Sequence, residues 1–434
     1  MTYRNAPIHP ILRLIYTLFR ITCWVGLSVF YRRRLVIGRE HLHFDGPAIV
    51  VSNHPSTLMD PLNTGLHIPQ EMFFLANYGL FKNTISNWIL TRLFCIPVKR
   101  KEDVAEGEAR DNEAAFEQSF HHLEKHGVLY IAAEGVSWMN RYVRPFKTGT
   151  ARIAFGAECR NNWQLGVKII PVGISYDAPR LFRSRTTIEY GIPIDAKPWA
   201  TTFQKDPEKA VEDFTIKIRK SVAALTLDSG SEADDTFVNQ TEIMVRNNRS
   251  DLSEQDKYLF LKDFLSKNIH NKGLKTQIDT YFTALEKAGL TDAGLSKVKG
   301  LTSIIQGSIS LLLLSPFFLL GYGFWFLPCW LPWLLCKHLN LYPGYDSNVK
   351  MLAGLFTFPL AMWGGWKLSF WLFESSLWAW VTIAVLVCCG YLAEVFMEIA
   401  KSWRERRAVR DFQKNDPAGW RNLREMRAEI LTAM

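Results

Sequence analysis

Residues 301–400 are dominated by Leu, Phe, Trp, Gly and Pro and carry few charges, whereas residues 31 to about 300 hold most of the charged side chains of this 434-residue chain. A stretch that apolar cannot present a solvated surface, so it belongs in lipid and leaves the soluble work to the part before it. The expected organisation is an interfacial or membrane-anchoring helix at 1–34, a catalytic-sized α/β domain at 35–226, a polar linker and accessory helices at 227–300, a transmembrane region at 301–400 and a basic cytoplasmic tail at 401–434.

Within the apolar stretch, 304–327 is long enough to cross a bilayer, but Pro316, Pro328 and Pro332 interrupt the longer run to Cys336. Proline removes a backbone donor, so the expectation is a Pro-broken re-entrant hairpin over 304–336. Residues 351–372 and 377–396 read as spans joined by a short turn, and Lys401, Arg404, Arg406, Arg407 and Arg410 favour the cytoplasmic side. Near the N-terminus, 11–31 is apolar, yet Arg13 and Arg20 share a helical face and Arg32, Arg33 and Arg34 follow at once. An amphipathic helix in the interface explains those arginines better than a span does. No cleaved signal peptide is expected.

The net charge of +9 fits anionic lipid or phosphorylated small molecules as partners, and no nucleic-acid-binding module is recognisable, so nucleic acid is not an expected partner. The seven cysteines show no metal-ligand or disulfide spacing and read as small buried hydrophobes in a reducing compartment. No metal site is expected.

From Leu35 to Ile194, short apolar runs alternate with helical stretches. LVIG, AIVVSN, MFFLAN, CIPVKR, VLYIAAEG, VKIIPVGISY and TTIEYGIPI read as strands, with helices at 104–125, 150–157 and 205–226. The fold class is therefore α/β, a mixed sheet flanked by helices, followed by a helical accessory region and C-terminal transmembrane helices.

Asn53-His54-Pro55-Ser56, with Asp60 beyond, sits in the loop between the run 47–51 and a predicted helix. A carboxylate that accepts from one imidazole nitrogen leaves the other free to take a proton. This pair lacks an obvious nucleophile, which points to one supplied by the substrate. Ser56 and Ser137 read as caps or turn residues, and His121 and His122 as solvated helix residues. Three more strand ends carry polar groups: Cys95 to Lys101, Ile131 to Gly135 followed by Pro145 to Gly149, and Ile169 to Gly173 leading to Phe182 to Arg185.

These four segments, in this order over roughly 35–225, resemble the glycerolipid acyltransferase family, which includes glycerol-3-phosphate and lysophosphatidate acyltransferases. The helical and apolar extension resembles a larger membrane-bound subgroup that is similar to the fungal glycerol-3-phosphate/dihydroxyacetone-phosphate acyltransferases. Five residues separate His54 from Asp60, where the usual family pattern has four, and Ala132-Ala133-Glu134-Gly135 replaces the usual Phe-Pro-Glu-Gly.

The resemblance implies acyl transfer from an acyl thioester, acyl-CoA or acyl carrier protein, to a hydroxyl of glycerol 3-phosphate or 1-acylglycerol 3-phosphate in phospholipid biosynthesis. No cofactor beyond that co-substrate is implied. His54 is then the general base and Asp60 its orienting partner. Arg100 and Lys147 are the implied phosphate ligands, and Arg183 and Arg185, on one strand face, bind phosphate of acceptor or coenzyme A. Glu134 bonds an acceptor hydroxyl, Gly135 admits the ligand close to the backbone, and Pro171 shapes the acyl or donor pocket. The expected setting is an integral membrane protein of the bacterial inner membrane or endoplasmic reticulum, with a cytoplasm-facing catalytic domain. The alternatives are a non-catalytic lipid-binding scaffold on the same fold, or an enzyme remodelling another lysophospholipid.

Overall fold

The run Ala48–Ser52 is buried at every position, as a strand must be when both its neighbours are parallel and both its faces are covered. The computed structural model describes residues 9–84, 87–88, 90, 94–99, 112–296 and 301–434. The chain forms two compact units, one comprising Met1–Glu232 with Tyr342–Asn348, the other Ala233–Leu341 with Val349–Met434.

The first unit holds an eight-stranded mixed sheet: β1 (Arg33–Ile37), β2 (Ala48–Ser52), β3 (Met72–Asn77), β4 (Cys95–Val98), β5 (Val128–Ala132), β6 (Lys168–Tyr176), β7 (Arg185–Tyr190) and β8 (Ile194–Asp195). Their order is β1-β7-β6-β2-β5-β3-β4, with β8 paired to β6. Strands β2 to β6 run parallel to one another, β1 is parallel to β7, and β6 pairs antiparallel with β7 and β8. The carboxyl ends of β2 through β6 and the start of β7 therefore share one edge, where α/β proteins build sites.

Pro171 is buried inside β6, level with Val51 of β2. Its carbonyl accepts from Gly191 N–H at 2.8 Å, so its missing donor faces the β7–β8 connection and β2 loses no ladder bond. Pro171 is thus part of the sheet, where sequence reading assigned it to a pocket.

Helices α1 (Pro10–Phe30), α2 (Met59–Gly65), α3 (Glu113–Glu124), α4 (Gly149–Arg160), α5 (Ala200–Lys205) and α6 (Pro207–Ala223) complete this unit. The predicted helix start at 104 lies outside the described residues. One face of the sheet is closed by an aromatic cluster in which the Phe155 ring lies 4.8 Å from Phe214 and 5.6 Å from Trp163. His122 differs from expectation. It is buried, its Nε2 lies 3.2 Å from Val128 O, and burial pushes its imidazole down to about 4. The cysteines also divide: Cys23 and Cys389 are buried, but Cys159, Cys329 and Cys388 are exposed.

In α1 both arginines bond to the domain, Arg13 while half exposed. Arg13 Nε bonds Glu71 at 2.7 Å, and Arg20 donates to the carbonyls of Leu66 (3.1 Å) and Pro69 (3.3 Å). Tyr16 OH accepts from Met72 N–H at 3.1 Å. The outer face carries exposed Ile11, Leu14, Leu18, Ile21, Trp24 and Val29. The domain satisfies both arginines, and the solvent-facing side of the helix is the apolar one.

The second unit holds α7 (Asp235–Asn248), α8 (Glu254–Asn268), α9 (Lys272–Lys287), α10 (Asp292–Ser296), α11 (Leu301–Leu339), most of α12 (Asp346–Phe373), α13 (Ser376–Asn415) and α14 (Pro417–Ala433). Among the described residues, Pro10–Phe30, Thr302–Leu339 and Ser376–Asn415 are long and apolar enough to cross a membrane. Residues 351–372, read as a span from sequence, fall in a helix outside that set.

The expected hairpin over 304–336 does not form; α11 is one continuous helix with Pro316, Pro328 and Pro332 inside it. Nearby hydroxyls serve two of the three carbonyls that these prolines free. Pro316 deprives Leu312 O of its helical donor, and Ser315 Oγ donates to that oxygen at 2.8 Å. Pro332 likewise frees Pro328 O, which accepts from Thr357 Oγ1 at 3.0 Å. α13 runs antiparallel along α11. Phe318 stacks on Phe396 at 4.2 Å, Trp325 Nε1 donates to Leu386 O at 2.9 Å, and a Cβ at Gly321 would fall 2.2 Å from Cys389 O. Thr357→Val should therefore lose about 1 kcal/mol, the net worth of one such bond, while Thr357→Ser retains it. Thermal unfolding of the detergent-solubilised protein, comparing the two variants, measures the difference.

Candidate active site

The loop leaving β2 is fixed before it reaches the histidine. Asn53 donates through Nδ2 to Ile174 O and accepts through Oδ1 from Ile174 N–H, both at 2.9 Å, so its side chain extends the ladder to β6. His54 follows with its peptide held on both sides: its N–H donates to Glu134 Oε1 at 3.1 Å and its carbonyl accepts from Trp138 N–H at 3.1 Å. Its Nδ1 lies 2.9 Å from Asp60 Oδ2. With Asp60 accepting there, the neutral ring keeps its proton on Nδ1 and leaves the Nε2 lone pair open.

Asp60 has no solvent exposure. It also accepts from Ser56 N–H at 2.8 Å and, through Oδ1, from Tyr176 OH at 2.8 Å. Residues six positions apart meet because the chain turns sharply at Thr57, which adopts φ 44. A β-branched residue in the left-handed region costs on the order of 1–3 kcal/mol and persists only where its surroundings hold it. Thr57 N–H donates to Ser137 Oγ at 3.0 Å.

Glu134 stands at the start of the loop that follows β5 and is 7% exposed. Burial first, with Asp60's charge adding to it, pushes its carboxyl up to about 7 against the opposing pull of the His54 N–H and Arg144. Near neutral pH it is therefore present in both protonation states, able to donate to or accept from a hydroxyl. Gly135 takes φ 77, which lets the chain turn directly after Glu134, and the Lys147 methylenes run 3.5 Å from where a Cβ would sit. Lys147 N–H is bonded to Ala133 O at 2.8 Å, and its side chain is exposed.

His54 thus contacts both Asp60 and Glu134, with Gly135 and Lys147 on the adjoining loop. Arg100 and Lys101 lie outside the described residues; β4 ends at Val98. Arg183 and Arg185 do not share a strand face. β7 begins at Arg185, and Arg183 sits in a left-handed turn (φ 64) with Nη1 donating to Val29 O at 3.3 Å, at the end of α1. Ser56 and Ser137 are tied into turns, Ser56 Oγ to Ser347 Oγ at 3.0 Å and Ser137 Oγ to Thr57. Tyr176 and Asn53 complete the site and were missed from sequence. Asn53 adjoins the histidine, and Tyr176 ends the longest strand.

An open imidazole nitrogen, a buried carboxylate behind it and a carboxyl poised near neutrality can together remove a proton from a bound hydroxyl. Residues 33–175 match the acyltransferase family model. Two proteins of Saccharomyces cerevisiae are similar in sequence: glycerol-3-phosphate O-acyltransferase 2, 33% identical over 118 residues, and glycerol-3-phosphate O-acyltransferase 1, 30% identical over 120 residues. Each match covers 27% of this chain and 16% of the yeast protein. Among solved structures, the 1-acyl-sn-glycerophosphate acyltransferase of Thermotoga maritima is 19% identical, with a TM-score of 0.34, over 48% of this chain and 81% of that one.

The raised Glu134 has a consequence for stability. Its protonated form is favoured by folding, so its contribution is complete below the unfolded value near 4.5 and is lost as pH rises through about 7. Glu134→Gln removes that loss. The variant should gain on wild type by a few kcal/mol between pH 5 and pH 8, read as the difference in unfolding midpoint at the two pH values.

Proposed function

We propose that this chain, which carries an acyltransferase-family domain over residues 33–175, transfers a fatty acyl group from a thioester to a hydroxyl of a phosphorylated glycerol. The observation that carries the reading is the His54–Asp60 contact of 2.9 Å, with Nε2 left open and Glu134 beside it. His54 Nε2 takes the acceptor's hydroxyl proton as the oxygen attacks the thioester carbonyl, and a C–O bond forms. The C–S bond then breaks, and the imidazolium returns the proton to the departing thiolate. Asp60 stabilises the imidazolium throughout, so the protein needs no nucleophile of its own.

Glu134 is assigned to an acceptor hydroxyl. Lys147 and Arg185 are assigned to phosphate, with Arg100 joining them on the strength of the motif alone. Arg183 is the weakest of the original set, because the end of α1 already engages it. Acyl-CoA or acyl carrier protein is the donor, and no further cofactor is invoked. The names of the yeast relatives make glycerol 3-phosphate the first acceptor to test, with 1-acylglycerol 3-phosphate second. The non-catalytic scaffold has no observation in its favour, since it requires neither an open imidazole nor a poised carboxyl.

The arginines Arg32, Arg33 and Arg34, directly after α1, support a membrane protein whose catalytic unit faces the cytoplasm. Residues 342–348 belong to that unit. A cysteine replacing the exposed Tyr345 should then react with a membrane-impermeant maleimide from the cytoplasmic side, relative to the parent protein. Reaction from the opposite side alone would refute the orientation.

The chemistry is tested by incubating membranes containing the protein with labelled acyl-CoA and each acceptor, and identifying the product. His54→Ala should lower turnover by on the order of 10²–10⁴, and Asp60→Asn by a smaller factor in the same direction. Undiminished transfer by His54→Ala would sink the mechanism, and no transfer by the wild-type protein to either acceptor would sink the assignment.

A further inference from the structure

From the turn after α11 into the first turn of α12, the chain returns to the catalytic unit for seven residues, Tyr342–Asn348. Ser347 and Asn348 there are buried, 1% and 4% exposed. Buried polar side chains need partners, and theirs are the two residues that follow the His54-Pro55 pair. Ser347 Oγ lies 3.0 Å from Ser56 Oγ. Asn348 Nδ2 donates to Thr57 Oγ1, which in turn donates to Gly344 O at 3.3 Å. Asn348 Oδ1 has no partner among the described residues, so Thr57 is the group that orients this amide. The segment is itself held by Asp346, which accepts from Arg180 Nε and Nη2 at 3.0 and 2.8 Å.

Thr57 is the strained point of the active-site loop, a β-branched residue at φ 44. Its amide is fixed by Ser137 on one side and its hydroxyl by the 342–348 segment on the other. The peptide just before it carries the Ser56 carbonyl that accepts from Met59 N–H at 2.9 Å, and the residue before that peptide places the Ser56 N–H on Asp60. Relaxation of Thr57 to the right-handed region would rotate that peptide and move Asp60 relative to His54. Strain of this kind survives only when several contacts over-determine it.

We propose that Asn348 is a positioning residue of the active site, holding the left-handed turn at Thr57 and through it the His54–Asp60 contact, so that the first turn of α12 is a working part of the catalytic centre. The inference rests on the acyl-transfer reading above, in which that contact is the base.

The test uses the full-length protein in detergent or nanodiscs, with Asn348→Ala made in the wild type and in Thr57→Gly, since glycine adopts positive φ without support. In the wild-type background Asn348→Ala should lower kcat by about tenfold or more, with KM for acceptor and donor within about threefold. In the Thr57→Gly background the same substitution should cost less than about threefold, because the turn no longer needs holding. Amide exchange in a peptide covering 53–60 should accelerate in Asn348→Ala, while that of β6 stays unchanged. An Asn348→Ala enzyme with wild-type kcat, an equal loss in both backgrounds, or acceleration spread evenly across the sheet would each overturn the proposal. His54→Ala separates the two readings. If it remains active, the mechanism fails whatever Asn348 does. If it is inactive while Asn348→Ala is normal, only the positioning role fails. Should the wild type transfer no acyl group, the exchange measurement still decides whether Asn348 holds the turn.

Discussion

The site depends on a carboxylate buried completely out of water. Removing an ion from solvent costs several kcal/mol even after relaxation, and Asp60 offsets that cost with three donors drawn from three places. His54 comes from the loop after β2, Ser56 contributes a backbone N–H from the turn, and Tyr176 reaches over from the end of β6. No one element could supply them all. The carboxylate is satisfied only when loop, turn and strand are in register together, so its burial converts sheet geometry into side-chain geometry. The pairing of Ser52 with Val172 makes β6 outrun β2, which brings Tyr176 across the mouth of the loop.

Two carboxylates flank one histidine here, and their surroundings differ. Asp60 is supplied with donors on both oxygens, whereas Glu134 accepts from the His54 N–H in a setting where burial dominates and raises the carboxyl to about 7. A carboxyl that burial raises toward neutrality can exchange a proton or a hydrogen bond with a ligand, while its neighbour, hydrogen-bonded on both oxygens, keeps fixed partners. The same His54 N–H that touches Glu134 belongs to the residue whose ring touches Asp60, so one peptide unit spaces the two acids. Gly135 then removes the obstruction a side chain would place directly beside them.

Much of this was legible because it is local. The apolar runs named seven of the eight strands, with β8 merged into the run that holds β7, and His54 and Asp60 lie in one loop-to-helix connection, where their pairing gained weight from the other three motifs. What escaped was either non-local or held by an unusual conformation. Asn53 to Ile174 and Tyr176 to Asp60 are contacts across more than a hundred positions, fixed by strand register that no local pattern encodes. The five-residue spacer closes at a left-handed threonine, a position where glycine or asparagine is the usual sign. Arg183 looked like a strand residue by alternation, but its own left-handed turn takes it off the strand and onto the end of α1. The prolines of α11 were read by the rule that proline breaks helices. That rule assumes the orphaned carbonyl goes unpaired, and Ser315 and Thr357 remove the assumption at Pro316 and Pro332.

The N-terminal helix shows how the apolar and catalytic halves of the chain are one design within this unit. An amphipathic helix resting on a membrane ordinarily keeps its basic residues toward water. In α1 Arg13 pairs with Glu71 while half exposed, and Arg20 donates to the Leu66 and Pro69 carbonyls, so both guanidiniums are hydrogen-bonded to the domain beside the apolar outer face. The helix then ends at Phe30, whose carbonyl accepts from Arg183 N–H at 2.7 Å, and Tyr31 follows with its ring stacked 5.7 Å from Tyr176. Tyr176 is the residue that donates to Asp60. The end of this apolar-faced helix is therefore linked through Tyr31 and Tyr176 to the carboxylate that contacts His54. A site built that way receives its geometry from the same contacts that fix the helix, so docking of α1 on the domain and alignment of His54 are parts of a single packing arrangement.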